Sequence, residues 1–359
     1  MLLSSIASHT ASFRPTRSYL LIVLLLILIV VFLLSLALGS VPIPLNEIVR
    51  VLLGGQASRD SWTSIILKFR LPKALTALLA GAALGIGGLQ MQTLFRNPLA
   101  DPFVLGISSG ASLGVALVVL TIGTAGSILF AGVSFFGDLS LAVAASIGSA
   151  AVLAIVLLVA RRVTSSVTLL ILGLMFGYGV SALVSLLLYF SISQRIQAYV
   201  NWTFGSFGAV TWNQMVVFAP AILIGLGIAF LLSKSLNALL LGETYARSMG
   251  MNVQRSRRWI VISTALLAGT VTAFCGPIGF LGIAVPHICR NIFNTSDHRI
   301  LIPATILMGG IVAVVADLIA QLPGSQLVLP LNAVTALIGA PIVIWIILRG
   351  RGLKATFES

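Results

Sequence analysis

Apolar runs of about 20 residues follow one another down the whole chain, and a run of that length is what an α-helix needs to cross roughly 30 Å of hydrocarbon. Lipid offers no partner to a backbone N–H or C=O, so each run must satisfy its own groups as a helix. A transmembrane barrel would instead show short alternating segments. Of 359 residues, 58% are hydrophobic and 8% charged, whereas a soluble domain is about a quarter charged. The chain reads as an all-α polytopic membrane protein, one transmembrane domain over 1–359 with about ten helices. The expected spans are 19–40, 71–94, 103–122, 139–160, 167–190, 214–233, 258–275, 279–292, 300–321 and 328–348. The eighth is too short to cross alone and is expected as a half-helix inside the bundle. The first is too long for the apolar part of a signal peptide and lacks a small-residue cleavage site, so it reads as retained.

The net charge is +13. On a soluble protein that would suggest nucleic acid. Here the cations fall between the apolar runs, so topology and lipid headgroups account for them and no nucleic-acid partner is expected. Short loops facing the cytoplasm carry the excess of Lys and Arg. With the N-terminus inside, 15 of the 21 are cytoplasmic and six lie outside: Arg50, Arg59, Lys68, Arg70, Lys73 and Arg195. Both termini, 1–18 and 350–359, are then cytoplasmic tails. Five of the six outer cations cluster between positions 50 and 73. Two readings stay open for them: contact with lipid and water, or a docking surface for an acidic partner. The outer loop 191–213 is rich in aromatics, either an interfacial belt or the lining of a vestibule.

Chemistry is scarce. Asp317 is the only acid well inside an apolar run, and ion-coupled carriers place charges along their paths. No GxxxxGK[ST] loop occurs and there are four lysines, so the chain has no Walker A cradle for ATP phosphates. No HExxH, GxSxG or paired-carboxylate arrangement suggests catalysis. Cys275 and Cys289 have no metal or redox spacing, and no catalytic residue, metal or cofactor is expected. The energy for any transport has to come from elsewhere.

Three stretches carry the remaining information. The corner NPLADP, with Asn97 and Pro98, breaks the second span from the third. The segment 276–290, GPIGFLGIAVPHICR, holds Gly276, Pro277 and Pro286 within apolar sequence, as broken helices near transport paths do. Its His287 reads either as a proton relay or as a hydrogen-bonded structural histidine. The polar stretch 240–258, LLGETYARSMGMNVQRSRR, suits two short surface helices with Gly250 between them. Such an element plugs into a partner's groove or lies as a basic loop on anionic lipid. TALLAG occurs at 76–81 and again at 264–269, in helices of opposite direction, a hint of an inverted repeat.

RLPK from Arg70, GGLQMQTLFRNPLADPFVLGISSGASLG from Gly87, LGETYARSMGMN from Leu241, GPIGFLGIAVPHICRNIF from Gly276 and LPLNAVTALIGAPIVIW from Leu329 together resemble the FecCD family. These are permease subunits of ABC importers for ferric siderophores, haem and cobalamin. The resemblance implies a type II importer permease fold and a homo- or heterodimer of permeases in a bacterial cytoplasmic membrane. It further implies a cytoplasmic ATPase dimer that binds ATP and magnesium, and an extracytoplasmic substrate-binding protein. It makes an iron–siderophore the expected substrate, with cobalamin or haem as alternatives. It assigns Arg70 and Lys73 to docking of the binding protein. The coupling loop, 234–257, brings Leu241, Gly242, Glu243, Ala246, Arg247, Gly250 and Met251 to the ATPase. Gly106, Ser108, Ser109 and Ser112 are the candidates for the translocation path between subunits, with close helix packing as the competing role. Departures from the family pattern are Lys73 where arginine is common, Gln321 where relatives often carry arginine, and Val328 where many carry an acid.

Overall fold

A computed structural model describes residues 16–122, 134–160, 166–324 and 327–348. The two terminal tails therefore fall almost wholly outside the described residues. Among the described residues there are helices and no strands. They are α1 (Thr16–Ala37), α2 (Leu45–Leu52), α3 (Asp60–Ile65), α4 (Leu71–Leu94), α5 (Ile107–Ala116), α6 (Ser134–Ala160), α7 (Ser166–Tyr189) and α8 (Ser193–Thr203). The second half holds α9 (Trp212–Leu231), α10 (Ser233–Leu240), α11 (Glu243–Ser248), α12 (Val253–Cys275), α13 (Leu281–Phe293), α14 (His298–Gln321) and α15 (Leu331–Leu348). Short π-helical stretches lead into α4 (Ile66–Arg70) and out of α5 (Leu117–Ile122).

Among the described residues six helices are long and apolar enough to cross a membrane. With α5, α6, α13 and α15 they make the expected ten. The half-helix is α13, of 13 residues.

The centre of the bundle is α4. Pro72 sits in its first turn, where a missing N–H costs nothing. From Ala80 to Phe95 every residue is buried, the polar Gln90, Gln92 and Thr93 included. It packs on α14, α12, α13 and α9. The closest approaches run backbone to backbone: a Cβ added at Gly81 would overlap the Gly309 carbonyl, and one at Gly88 the Gly282 carbonyl. Gly110 and Gly148 bring α5 onto α6 in the same way. Small residues let helices touch where lipid gives no hydrophobic push between them.

Most of the contacts repeat between the two halves of the chain, as the expected repeat requires. Pairing α1, α4, α5, α6 and α7 with α9, α12, α13, α14 and α15 maps α5·α6 onto α13·α14, α4·α14 onto α12·α6, α4·α13 onto α12·α5, and α5·α7 onto α13·α15. The TALLAG copies are not its trace. One lies in the opening half of α4 and the other in the middle of α12, so they do not correspond.

Two loops are more structured than the sequence suggests. The outer loop 191–213 contains the helix α8, and its aromatics split: Phe207 is fully buried while Phe204 and Trp212 are exposed. The stretch between spans one and two folds into α2 and α3. At the other end, the glycine between the two short helices α10 and α11 is Gly242, and Gly250 separates α11 from α12.

Candidate functional site

At one end of the bundle α10 and α11 make a protruding elbow. Gly242 turns it at φ 105° and Gly250 closes it at φ 79°, conformations that a side chain resists. The elbow is clamped from inside. Glu243 Oε1 accepts from Arg257 Nη2 at 2.6 Å, and Arg247 Nη2 lies 3.8 Å from Glu243 Oε2. Arg257, on the first turns of α12, is almost wholly buried, and Ala246 is fully so. Met251 packs against the core.

The opposite face of the elbow is apolar and bare. Leu241, Tyr245 and Met249 are each about half exposed. Tyr245 and Met249 lie one helical turn apart, and Leu241, across the Gly242 turn, lines the same cleft as Tyr245, so together they make the apolar stripe of the elbow. The sequence reading included Leu241 but missed Tyr245 and Met249; their spacing was the available signal. A cleft of about 480 Å³ beside the stripe is lined by Arg96, Leu241, Gly242, Glu243, Thr244, Tyr245 and Ser248. Of the predicted coupling residues, Leu241, Arg247 and Gly250 face outward, Glu243 is half-buried in the clamp, and Gly242, Ala246 and Met251 position the loop.

Behind the elbow runs a buried polar layer. His298 lies between Thr93 (Nε2 to Oγ1, 2.9 Å) and Asn237 (Nδ1 to Oδ1, 2.8 Å), tying α4, α10 and α14 together. Asn237 Nδ2 donates to Asp297 Oδ1 at 2.7 Å. Arg290 donates to Gln92 Oε1 at 2.5 Å. Further along α4, Gln90 donates to Ser263 and accepts from Thr264. Buried polar groups joined this way fix one arrangement of helices.

The predicted helix breaks belong to the same framework. Asn97 Oδ1 accepts from the Leu99 N–H, and His287 Nε2 lies 2.8 Å from the Pro98 carbonyl. His287 thus has the structural hydrogen bond, and it docks the corner onto α13. Gly276 adopts φ 78°, and a Cβ there would meet the Trp202 carbonyl at 2.5 Å. Pro286 is buried inside α13, and Pro277 is partly buried before it.

At the far end, Arg70 donates through Nη1 to the carbonyls of Leu36 (2.6 Å) and Ala37 (3.0 Å), and through Nη2 to that of Val41. It caps the last turn of α1, where a cation is favoured. Lys73 Nζ lies 3.1 Å from Asp317 Oδ1. Both cations line a cleft of about 290 Å³ with Gly39, Ser40, Val41, Ile65, Phe69 and Gln321.

The path candidates sit on α5 and its leading turn. Gly106 is buried at φ 75°, against α6 and α7, where a Cβ would lie 3.3 Å from the Gly173 carbonyl. It is a turn and packing residue. Ser108, Ser109 and Ser112 are half-buried; Ser109 faces Gly177 of α7 and Ser112 hydrogen-bonds the Tyr199 hydroxyl. The helix α7 is broadly uncovered, with Ile171, Met175 and Tyr178 exposed.

The bundle of ten apolar helices with a polar-clamped elbow at one end is the architecture of a polytopic membrane protein. The profile of the FecCD transport family matches residues 27–349. The vitamin B12 import system permease protein BtuC of Klebsiella pneumoniae subsp. pneumoniae is 40% identical over 287 residues, covering 80% of this chain and 83% of that protein. An uncharacterized ABC transporter permease protein of Bacillus subtilis, YvrB, is 34% identical over 326 residues, 88% of this chain and 90% of the relative. Among solved structures, an inward-facing conformation of a putative metal-chelate type ABC transporter superposes with a TM-score of 0.77 at 29% identity, over 92% of this chain and 99% of that one. The chain belongs to the FecCD transport family and is a permease subunit of an ABC importer.

Proposed function

We propose that this subunit passes a bulky metal chelate through the cytoplasmic membrane of a bacterium, driven by a separate ATPase dimer that grips the α10–α11 elbow. The observation that carries the reading is the elbow: exposed apolar Leu241, Tyr245 and Met249, presented around the Gly242 turn and a short helix locked by Glu243 and Arg257. An exposed apolar stripe is the anchor of an interface, and the clamp makes it move with α12 as one body. The buried polar layer then passes that motion to α4, α13 and α14. The excess of Lys and Arg at the elbow's end supports a cytoplasmic placement of that end and of both termini. A second permease subunit is assigned to the uncovered face of α7, with Ser108 and Ser109 beside the path. A substrate-binding protein is assigned to the cleft that Arg70 and Lys73 line.

Two substrates fit. The relatives named for vitamin B12 import support a corrinoid; the family resemblance supports a ferric siderophore. Proteoliposomes holding the permease with its ATPase and binding protein, offered each chelate, separate the two. Uptake of one chelate, dependent on ATP and absent without the ATPase, is expected. ATP-independent pumping by the permease alone would overturn the proposal.

A further inference from the structure

The segment between α1 and α4 lends Gly39, Ser40, Val41, Ile65 and Phe69 to the cleft at Arg70. Its helix α2 has no role in the scheme above, yet it is built to a pattern. The helix α2 has three sectors. At 100° per residue, Glu47, Ile48 and Val51 share one face, and these are its buried residues. Ile48 and Val51 join Leu36, Ala37, Ile66 and Ala74 in one apolar cluster. Leu45, Val49, Leu52 and Leu53 form the neighbouring sector, and all four are exposed, Leu53 to 83%. Asn46 and Arg50 occupy the third and are exposed as well. Three sectors imply three neighbours: protein, something apolar, and water.

The apolar neighbour is indicated by continuity. The outward face of α1 exposes Ile22, Leu26, Val30, Leu34 and Leu38, and α1 is long and apolar enough to span the membrane, so that face meets acyl chains. Val41 and then Leu45 are the next exposed large apolar residues along the chain, with the small Ser40 exposed between Leu38 and Val41. An independent marker fixes the depth. Trp212 is exposed, and its Nε1 donates to the Leu67 carbonyl at 2.7 Å; tryptophan with a bound N–H and a bare ring is a residue of the membrane–water interface. Phe69 is exposed two residues further on.

Charge at this level is cationic. Arg50, Arg59 and Lys68 are exposed, and Arg59 stacks over Trp62 at 4.9 Å. Of the nearby acids, Asp60 is exposed, while Glu47 is turned inward, accepting from the Ser58 N–H at 2.9 Å with Arg50 3.6 Å away. We propose that 45–69 is an interfacial foot: α2 lies in the headgroup layer with Leu45, Val49 and Leu53 among the upper acyl chains, and Arg50 and Lys68 hold the phosphates of anionic lipid. The foot keeps the end of α1, and with it the cleft at Arg70, at a fixed depth.

The test uses the full permease in nanodiscs of phosphatidylethanolamine and phosphatidylglycerol. Single nitroxides at Val49, Leu53 and Asn46 are measured for access to oxygen and to a water-soluble nickel chelate. Labels at Val49 and Leu53 are expected to be open to oxygen and shielded from nickel, with the Asn46 label open to nickel. If the Val49 and Leu53 labels are as open to nickel as the Asn46 label, the face is aqueous and the proposal fails. Shielding from both reagents, intrinsic or on adding the binding protein, would mean a protein covers the face and also overturns it. In native mass spectrometry, Arg50→Gln with Lys68→Gln should lower retained phosphatidylglycerol roughly fivefold per cation. Unchanged retention would remove the cations from the proposal.

Discussion

Lys73 Nζ lies 3.1 Å from Asp317 Oδ1, so a cation expected to face a docking partner is tied to an acid of its own bundle. Gln321 Nε2 completes the site by donating to Asp317 Oδ2 at 2.6 Å. The side chains are 23% and 7% exposed, so the acid is more deeply committed than the lysine. Removing it with Asp317→Asn should cost on the order of 3 kcal/mol, the lower end for a broken buried pair, because Lys73 keeps some solvent. Thermal unfolding in detergent measures the loss, and Lys73→Met on the same background should recover part of it. The unmasked Lys73 of Asp317→Asn should also speed association of an acidic binding protein at low salt, an effect that added salt removes. A single variant with unchanged stability would show that the pair carries no weight.

This pair shows where sequence reading stops. Ten spans, the half-helix and the elbow were legible because hydropathy, glycines and prolines act locally along the chain. Asp317 and Lys73 lie on α14 and α4, far apart in sequence, and only the fold joins them. The same holds for Arg70, whose three carbonyl partners are on and just after α1, and for Arg257, which is inside the protein rather than in a basic loop. Gly106 read as a path residue because small residues serve both paths and packing; its neighbours Gly173 and Val152 are on other helices. Leu241, Tyr245 and Met249 were not legible as a bare surface, because which side of the elbow is covered is set by the burial of Ala246 and Arg257 in the fold.

The elbow makes a sharp prediction about coupling. Tyr245→Ala removes the largest side chain of the stripe from a surface that has no structural duty inside the subunit. Stability should change by less than about 0.5 kcal/mol, as for surface positions. Association with the ATPase should weaken by about 2 kcal/mol, the scale of an interface anchor. Transport should fall with it while substrate-dependent docking outside is unchanged. Equal affinity of both forms for the ATPase would place the contact elsewhere.

The clamp predicts a different failure. Glu243→Ala leaves the Arg257 guanidinium without the carboxylate at 2.6 Å, in a site that excludes most water. Hydrogen exchange of α11 amides should accelerate while those of α4 stay protected. The ATPase should still bind, through the intact stripe, but hydrolysis should run uncoupled from uptake because the elbow no longer moves with α12. Retained coupling in this variant would mean that Gly242 and Ala246 alone hold the elbow.

Backbone contact between helices gives a matched pair of glycine variants. Gly88→Ala forces a Cβ onto the Gly282 carbonyl, and neither helix can yield without shifting its neighbours, so a loss of about 1–3 kcal/mol is expected. Gly227, on α9, has nothing within 4 Å of an added Cβ. Gly227→Ala should be neutral or stabilise by up to about 1 kcal/mol through helix propensity. Equal melting temperatures for the two variants would contradict the close packing of α4 on α13.

Asp297 adds a pH dependence whose sign is fixed by its surroundings. Burial alone would raise its carboxyl, but hydrogen bonds from the Arg299 N–H and from the Asn237 amide, with the Arg299 charge close by, hold it below the usual carboxylate range. In the unfolded chain the group titrates near pH 4, so below that value the unfolded state binds more protons. The stabilisation is fully present above about pH 4 and is lost as pH falls through the lowered folded value. Melting temperature should therefore be level with respect to this group from pH 7 to 5 and drop below pH 4. In Asp297→Asn the acid limb should be shallower, because the proton-linked cap of α14 is gone. An equally steep limb in the variant would assign the acid loss to Glu47, whose carboxylate the Ser58 hydrogen bonds likewise hold low, and Glu47→Gln would then flatten it.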